Sequence, residues 1–171
     1  MIKRILVPTD GSEAAAVSTR YAVALAQKHD ACVVGLHVVD IKMLDGPFIR
    51  DLSASLGAAP YVNYQNNIAM LLEERGKSAL AAFQKVCESA GVPCEIHLVS
   101  GIVPRVIVET AELTDLIVMG RGGEHDQWLE GLLGSTTEAV VRRTSQPVLV
   151  TGVDTPGNTR FLVAYDGSHF A

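Results

Sequence analysis

Apolar and polar positions along the chain alternate in blocks that predict strands followed by helices. Residues 4–8, RILVP, form a short and largely apolar run, as in a strand that is covered on both faces. The next segment repeats apolar residues at Val17, Tyr21 and Leu25, which is the spacing of one helix face. Similar apolar runs predict four more strands, at residues 31–40, 94–99, 115–120 and 146–152. Helical periodicity predicts four helices, at residues 9–30, 66–90, 102–113 and 135–144.

Strands that alternate with helices predict the fold class. They pair in parallel through right-handed crossovers, which gives an α/β, doubly wound sheet with helices on both faces. Ligands of such sheets bind at the carboxyl ends of the strands, where the strand order reverses. We therefore expect a site at the loops PTDGS, residues 8–12, and GRGGEH, residues 120–125. Residues 41–65 show no sustained period and are predicted to be an irregular excursion.

Size and charge exclude several classes of function. The 171 residues suit one domain, and 14 basic against 19 acidic residues give a net charge of −5. Without a basic cluster or an aromatic stacking platform, nucleic-acid binding is not expected. The apolar runs are too short for a membrane span, and no signal peptide follows Met1, so a cytoplasmic protein is expected. The cysteines Cys32, Cys87 and Cys94 are predicted to be buried free thiols.

The end of the chain resembles its beginning. Residues 160–171, RFLVAYDGSHFA, match residues 4–15, RILVPTDGSEAA, at seven of twelve positions. Residues 154–159, DTPGNT, have the composition of a linker. We therefore expect one complete domain at residues 1–153, a linker, and the first strand of a second copy, as in a tandem protein. The alternative is a native arm that pairs with a sheet edge.

The first predicted loop carries Asp10, Gly11 and Ser12 directly after a buried strand. One interpretation is structural, with Asp10 or Ser12 as the N-cap of the following helix and Gly11 in the turn. The other is functional, with Asp10 accepting hydrogen bonds from the base or ribose of a ligand at the switch point.

The second loop ends in Gly134, Ser135, Thr136 and Thr137. Ser135 and Glu138 have the spacing of a capping box, which would explain both residues structurally. A helix N-terminus also attracts phosphate, and Gly134 would let a phosphate approach the backbone closely. The pattern G-x-x-x-x-G-K-[ST] is absent, and GRGGEH is not G-x-G-x-x-G, so a P-loop and a Rossmann dinucleotide site are disfavoured.

Together these segments resemble the universal stress protein domain over residues 2 to about 152. The resemblance is carried by ILVPTDGSE, LHVVD, DLIVMG, the glycine loop and LLGSTTEAVVRRTSQPVLV. It implies a five-stranded parallel sheet with strand order 3-2-1-4-5. The nucleotide-binding branch of the family carries G-x2-G-x9-G-[ST] after strand four. Gly120 and Gly123 fit this pattern, but ten residues, 124–133, separate Gly123 from Gly134.

The resemblance implies that the ligand is ATP or another adenine nucleotide, with Mg²⁺ as a possible companion. The adenine would lie near Pro8, Thr9, Asp10 and the backbone of Val38. Ribose and phosphates would contact the two glycine segments, through Met119, Gly120, Gly123, Gly134, Ser135, Thr136 and Thr137. Arg121 is expected to be a solvated turn residue, and His37 a hydrogen-bonded core histidine.

We expect an ATP-binding regulatory module of the stress response without committed catalysis, and at most slow ATP hydrolysis. Hydrolysis needs a positioned water, a base and charge neutralisation, and the loops offer neither an evident base nor a lysine. The alternative is an interaction module of the same fold that binds no nucleotide, which the longer loop and its acidic EHD segment favour. An adenylating enzyme is a third and weaker possibility.

Association is expected through the fifth strand. PVLVTG, residues 147–152, is apolar and β-branched, and at a sheet edge such a strand invites pairing. The resemblance implies antiparallel pairing of this strand, in a homodimer or between the two domains of a tandem protein.

Overall fold

The computed structural model describes residues 1–43, 58–123 and 133–152. The predicted linker at residues 154–159 and the predicted second-copy strand at 160–171 lie outside the described residues, as does the middle of the glycine loop. The predicted domain boundary at residue 153 therefore stays a prediction.

Strands and helices alternate along the chain as the sequence predicts. The strands are β1 (Arg4–Pro8), β2 (Cys32–Asp40), β3 (Cys94–Gly101), β4 (Leu116–Gly120) and β5 (Val148–Thr151). The helices are α1 (Glu13–His29), α2 (Ala58–Ser89), α3 (Val103–Ala111) and α4 (Ser135–Val141), and a 3₁₀ turn spans Ile41–Met43.

The five strands form one sheet in the order β3-β2-β1-β4-β5. Every neighbouring pair is parallel, which confirms the predicted fold class and strand order. The chain builds outward from β1 to one edge and then returns to add β4 on the other side. The carboxyl ends of β1 and β4 therefore lie side by side, at the point where a doubly wound sheet binds its ligands.

Each face of the sheet has its own apolar core. Successive residues of a strand point to opposite faces, so Ile5 and Val7 pack with α1 and α2, whereas Leu6 packs with α3 and α4. The first core includes Val23 and Phe83 of the covering helices. Burial on both faces explains why β1 is an unbroken apolar run rather than an alternating one.

Helix α2 begins earlier than predicted. It starts at Ala58, whereas the sequence pattern predicts an irregular excursion until residue 65. Pro60 misled this prediction, because a proline usually interrupts a helix. Here it occupies the first turn, where no intrahelical partner exists for its missing N–H.

The cysteines differ in their surroundings. Cys87 is fully buried, whereas Cys32 and Cys94 are half-buried, so predicted burial holds completely for Cys87 alone. Burial raises the pKa of the Cys87 thiol to about 12, and the neighbouring Cys94 adds to this effect. Among the helices that the structure describes, none combines the length and the apolar character needed to cross a membrane.

Candidate functional site

A cavity of about 340 Å³ opens at the carboxyl ends of β1, β2 and β4. This volume lies within the range of small-molecule sites. All eleven residues predicted for the site line it, namely Pro8, Thr9, Asp10, Val38, Met119, Gly120, Gly123, Gly134, Ser135, Thr136 and Thr137. The lining also includes residues that the sequence did not single out as ligand contacts, among them Leu36, Asp40, Val103 and Ile107. Their signal was present only in the topology, because β2 and α3 border the same end of the sheet.

The cavity has two chemically different regions. Val38, Leu36, Val103 and Ile107 give one region an apolar wall, which suits a flat heterocycle. The other region is built from backbone and small polar side chains, with Gly123, Gly134, Ser135 and Thr136. A ligand with an apolar ring at one end and a polar group at the other fits this division.

The turn after β1 confirms the structural interpretation, with Ser12 as the N-cap, whereas a ligand contact of Asp10 stays a prediction. Ser12 is the N-cap of α1, and its hydroxyl accepts a hydrogen bond from the Ala15 amide at 3.2 Å. One carboxylate oxygen of Asp10 accepts from the Ser12 amide at 2.9 Å. Gly11 lies between them at φ +82°, a backbone conformation that glycine adopts without a steric penalty. Asp10 thus shapes the turn, and it also lines the cavity.

The last two residues of β4 and the turn that follows it, Met119–Gly123, are together called the glycine turn. A Cβ atom at Gly120 would lie 2.9 Å from the Cβ of Ala14, and one at Gly123 would lie 2.8 Å from an oxygen of Asp10. Both distances are too short for real side chains. The glycines therefore allow this turn to pack against the first turn of α1 and against the turn after β1.

The glycine turn is joined to the start of α4. The Gly134 amide donates to the Arg121 carbonyl at 2.8 Å, and a Cβ at Gly134 would lie 3.1 Å from the Gly122 Cα. The two glycine segments are therefore in direct contact, although residues 124–132, which join them along the chain, lie outside the described ranges. Ten residues separate Gly123 from Gly134, one more than in the family pattern, and the contact is nevertheless present.

The predicted capping box is wrong. Gly134 is the N-cap of α4, Ser135 is its first helical residue, and no side-chain hydrogen bond caps this described helix. Glu138 instead pairs with Arg142, with 2.9 Å between Oε1 and Nε. The bond from Gly134 to the Arg121 carbonyl holds Gly134 in the extended N-cap conformation. The N-cap is therefore one residue earlier than Ser135, the residue that the capping-box pattern indicated. With seven residues α4 is short, so the polar groups offered by Ser135 and Thr136 matter more than the helix dipole.

Thr137 and His37 are buried polar residues whose side chains hydrogen-bond to backbone carbonyls beside the cavity. Thr137 is 3% exposed, and its hydroxyl donates to the Gly120 carbonyl at 2.9 Å. His37 is also buried, with its Nδ1 2.8 Å from the Thr9 carbonyl, which confirms the interpretation as a hydrogen-bonded core histidine. Both side chains thus fix the backbone at the ends of β1 and β4.

Charge in the cavity is acidic. Asp10 and Asp40 line it, and its described lining contains neither lysine nor arginine. Arg121 is exposed and does not line the cavity, in agreement with the expected solvated residue. The described residues contain no group of three or more histidine, cysteine or acidic side chains that could hold a metal ion.

The universal stress protein family model matches residues 1–152 of the chain. Universal stress protein MJ0531 of Methanocaldococcus jannaschii is 35% identical over 153 residues, which cover 88% of this chain and 82% of that protein. The chain therefore belongs to the universal stress protein family.

Solved structures show the same fold. The structure of protein MJ0577, also from Methanocaldococcus jannaschii, aligns with a TM-score of 0.74 at 30% identity, over 89% of this chain and 96% of that one. A universal stress protein family protein from Arabidopsis thaliana, solved with AMP bound, has a TM-score of 0.60. It is 16% identical and aligns over 89% of this chain and 92% of that one, so it supports the fold alone.

Proposed function

We propose that this protein is an adenine-nucleotide-binding regulatory module of the stress response, with ATP as its ligand. The observation that carries the proposal is the cavity, whose apolar wall and glycine-built polar end lie at the switch point of the sheet. The AMP in the plant protein of the same fold agrees with a nucleotide in this family.

In the proposed complex the adenine packs on Val38 and its apolar neighbours, next to Pro8 and Thr9. The phosphates contact Gly123, Ser135 and Thr136 at the polar end. Gly123 and these two small side chains let phosphate oxygens approach backbone N–H groups, which bind anions well in such concave turns.

The acidic lining bears on how the phosphates are neutralised. Asp10 and Asp40 line the cavity without a lysine or arginine among its described residues, so a bound triphosphate needs a counter-ion. Magnesium ions commonly bind through one or two carboxylates together with phosphate oxygens. Asp10, whose carboxylate lies against Gly123, would be the protein ligand, and the metal would enter with the nucleotide.

We propose binding without committed catalysis. Phosphoryl transfer to water requires a positioned nucleophile and stabilisation of the charge on the transferred group. The described lining offers two carboxylates but no arginine or lysine for that stabilisation. Hydrolysis of ATP, where it occurs, is expected to be slow.

The test is the equilibrium binding of MgATP to the purified protein and to Gly123→Val. A valine side chain would project toward Asp10, where a Cβ already meets an oxygen at 2.8 Å, and would fill the polar end. We expect the affinity to fall at least about tenfold, which corresponds to a loss of about 1.4 kcal/mol of binding free energy.

Gly152→Val is the matched control, since a Cβ at Gly152 has no atom of the described residues within 4 Å. Its affinity for MgATP should equal that of the unchanged protein. If the unchanged protein binds no adenine nucleotide at millimolar concentration, the nucleotide proposal fails, and the interaction module described above takes its place.

A further inference from the structure

A buried pair of hydroxyl groups lies behind the glycine turn, on the side away from the cavity. The Oγ of Ser18 in α1 and the Oγ1 of Thr151 in β5 are 2.8 Å apart. Both side chains are almost fully buried, at 0% and 3% exposure. Neither residue lines the cavity, so neither would touch a bound ligand.

Thr151 contacts the glycine turn on both sides of Gly120. Its hydroxyl lies 3.4 Å from the Met119 carbonyl, and its own carbonyl accepts from the Arg121 amide at 3.1 Å. Gly120 is the register partner of Thr151 between β4 and β5. The last residue of an edge strand thus fixes the backbone before and after the central glycine.

Ser18 connects the Thr151 hydroxyl to the first turn of α1. Its hydroxyl donates to the Ala14 carbonyl at 2.9 Å, and Ala14 is the residue against which Gly120 packs. Because the single Ser18 proton goes to the Ala14 carbonyl, the Thr151 hydroxyl donates to Ser18. Its 3.4 Å approach to the Met119 carbonyl is therefore a polar contact and not a further hydrogen bond. Through Ser18, Thr151 thus joins the Ala14 turn of α1 to the backbone beside Gly120. From the cavity side, the Thr137 hydroxyl binds the Gly120 carbonyl.

The hydroxyl groups of the pair indicate that these side chains position the backbone and do not merely fill space in the core. Valine has nearly the shape of threonine and would fill the space at residue 151 equally well. It would also avoid the free-energy cost that a buried hydroxyl carries unless it is hydrogen-bonded. A satisfied polar pair, in contrast, specifies one backbone arrangement. The pair is bonded to the Ala14 carbonyl, in the helix turn that packs against Gly120, and the Thr151 hydroxyl lies 3.4 Å from the Met119 carbonyl of the glycine turn.

We propose that Thr151 and Ser18 are positioning residues for the phosphate end of the site. They hold the backbone of the glycine turn in the position in which it contacts phosphate groups. The proposal rests on the nucleotide function proposed above and extends the site to the edge strand β5.

The first experiment compares the affinities for MgATP and for adenosine, which lacks phosphates. In Thr151→Val we expect MgATP binding to weaken about tenfold, the order expected for lost buried hydrogen bonds, while adenosine binding stays unchanged. Thr151→Ser keeps the hydroxyl and should retain MgATP binding.

Thr19→Val is the matched control, because Thr19 is also 3% exposed but its hydroxyl bonds within α1, to the Ala15 carbonyl at 2.8 Å. Its ratio of the two affinities should equal that of the unchanged protein. An equal loss of MgATP and adenosine in Thr151→Val, or no loss of either, overturns the positioning role while leaving nucleotide binding intact.

The second experiment needs no ligand and separates this inference from the proposed function. Amide hydrogen exchange in the peptide covering residues 119–123 should be faster in Thr151→Val than in Thr19→Val. Equal exchange rates in the two variants overturn the inference even if the unchanged protein binds no nucleotide.

Discussion

Asp115 shows how one side chain fastens the end of the sheet opposite the cavity. Its carboxylate accepts hydrogen bonds from the amides of Lys3 and Arg4, at 2.7 and 2.9 Å. Its own amide donates to the Arg4 carbonyl at 2.9 Å. These backbone N–H groups hold the pKa of the Asp115 carboxyl below its usual range, because they stabilise the charged form.

This lowered pKa gives a pH dependence with a defined sign. The carboxyl binds protons more weakly in the folded than in the unfolded chain, so its stabilising effect is present at neutral pH. The effect is lost as the pH falls below about 4 and through the lowered pKa. Asp115→Asn should therefore lower the free energy of unfolding at pH 7, and the difference from the unchanged protein should shrink on acidification.

Urea denaturation at pH 7 and near pH 3.5 measures this difference. Glu112→Gln is the control, since it removes a nearby exposed carboxyl for which the structure records no such bonds to β1. A difference between Asp115→Asn and the unchanged protein that persists undiminished in acid would contradict the assignment.

At the scale of elements, Gly76 is one of the residues that let α2 pack closely on β2 and β3. A Cβ at Gly76 would lie 2.5 Å from Cδ2 of His37 and 2.7 Å from Cδ1 of Leu98. His37 has little freedom to move, because its ring is bound to the Thr9 carbonyl. The glycine in the middle of this long helix is thus explained by close packing on the sheet.

We expect Gly76→Ala to lower the free energy of unfolding by about 1–3 kcal/mol, as overpacked cores do. This loss would occur although alanine favours the helix by about 1 kcal/mol over glycine. Chemical denaturation measures the change, and the exposed Ala81→Gly substitution in the same helix measures propensity alone. A Gly76→Ala variant more stable than the unchanged protein would show that α2 can shift away from the sheet.

The elements show what the sequence could predict. The apolar runs of β1 and β4 and the period of α1 carried their own signal, because burial on both faces, or on one stripe, dictates residue type. The start of α2 carried none, since Pro60 occurs in helix first turns and in loops alike. The N-cap of α4 was also not predictable, because it depends on the bond from Gly134 to Arg121 across the site.

At the scale of the whole molecule, β5 forms one edge of the sheet that residues 1–43, 58–123 and 133–152 build. The Ile117 amide donates to the Pro147 carbonyl and the Arg121 amide to the Thr151 carbonyl. Alternate residues of a strand direct their N–H and C=O groups to opposite sides, so those of Val148 and Val150 point away from β4. These outward groups are the ones that a second strand would pair with.

If two copies associate through β5, as the family resemblance implies, Val150→Pro should convert the dimer into a monomer. Proline removes one outward N–H and leaves the ladder to β4 intact. Light scattering after size-exclusion chromatography measures the mass. Val150→Thr, which keeps the N–H and the branched side chain, should remain dimeric, and a dimeric proline variant would exclude this edge as the interface.

The bond between Gly134 and Arg121 bears on how the spacing of the glycines is read. It joins the backbone on either side of residues 124–132, so the two glycine segments meet directly and not through the residues between them. A pattern that counts the residues between the glycines therefore describes this end of the cavity less directly than the contact between Gly122 and Gly134 does.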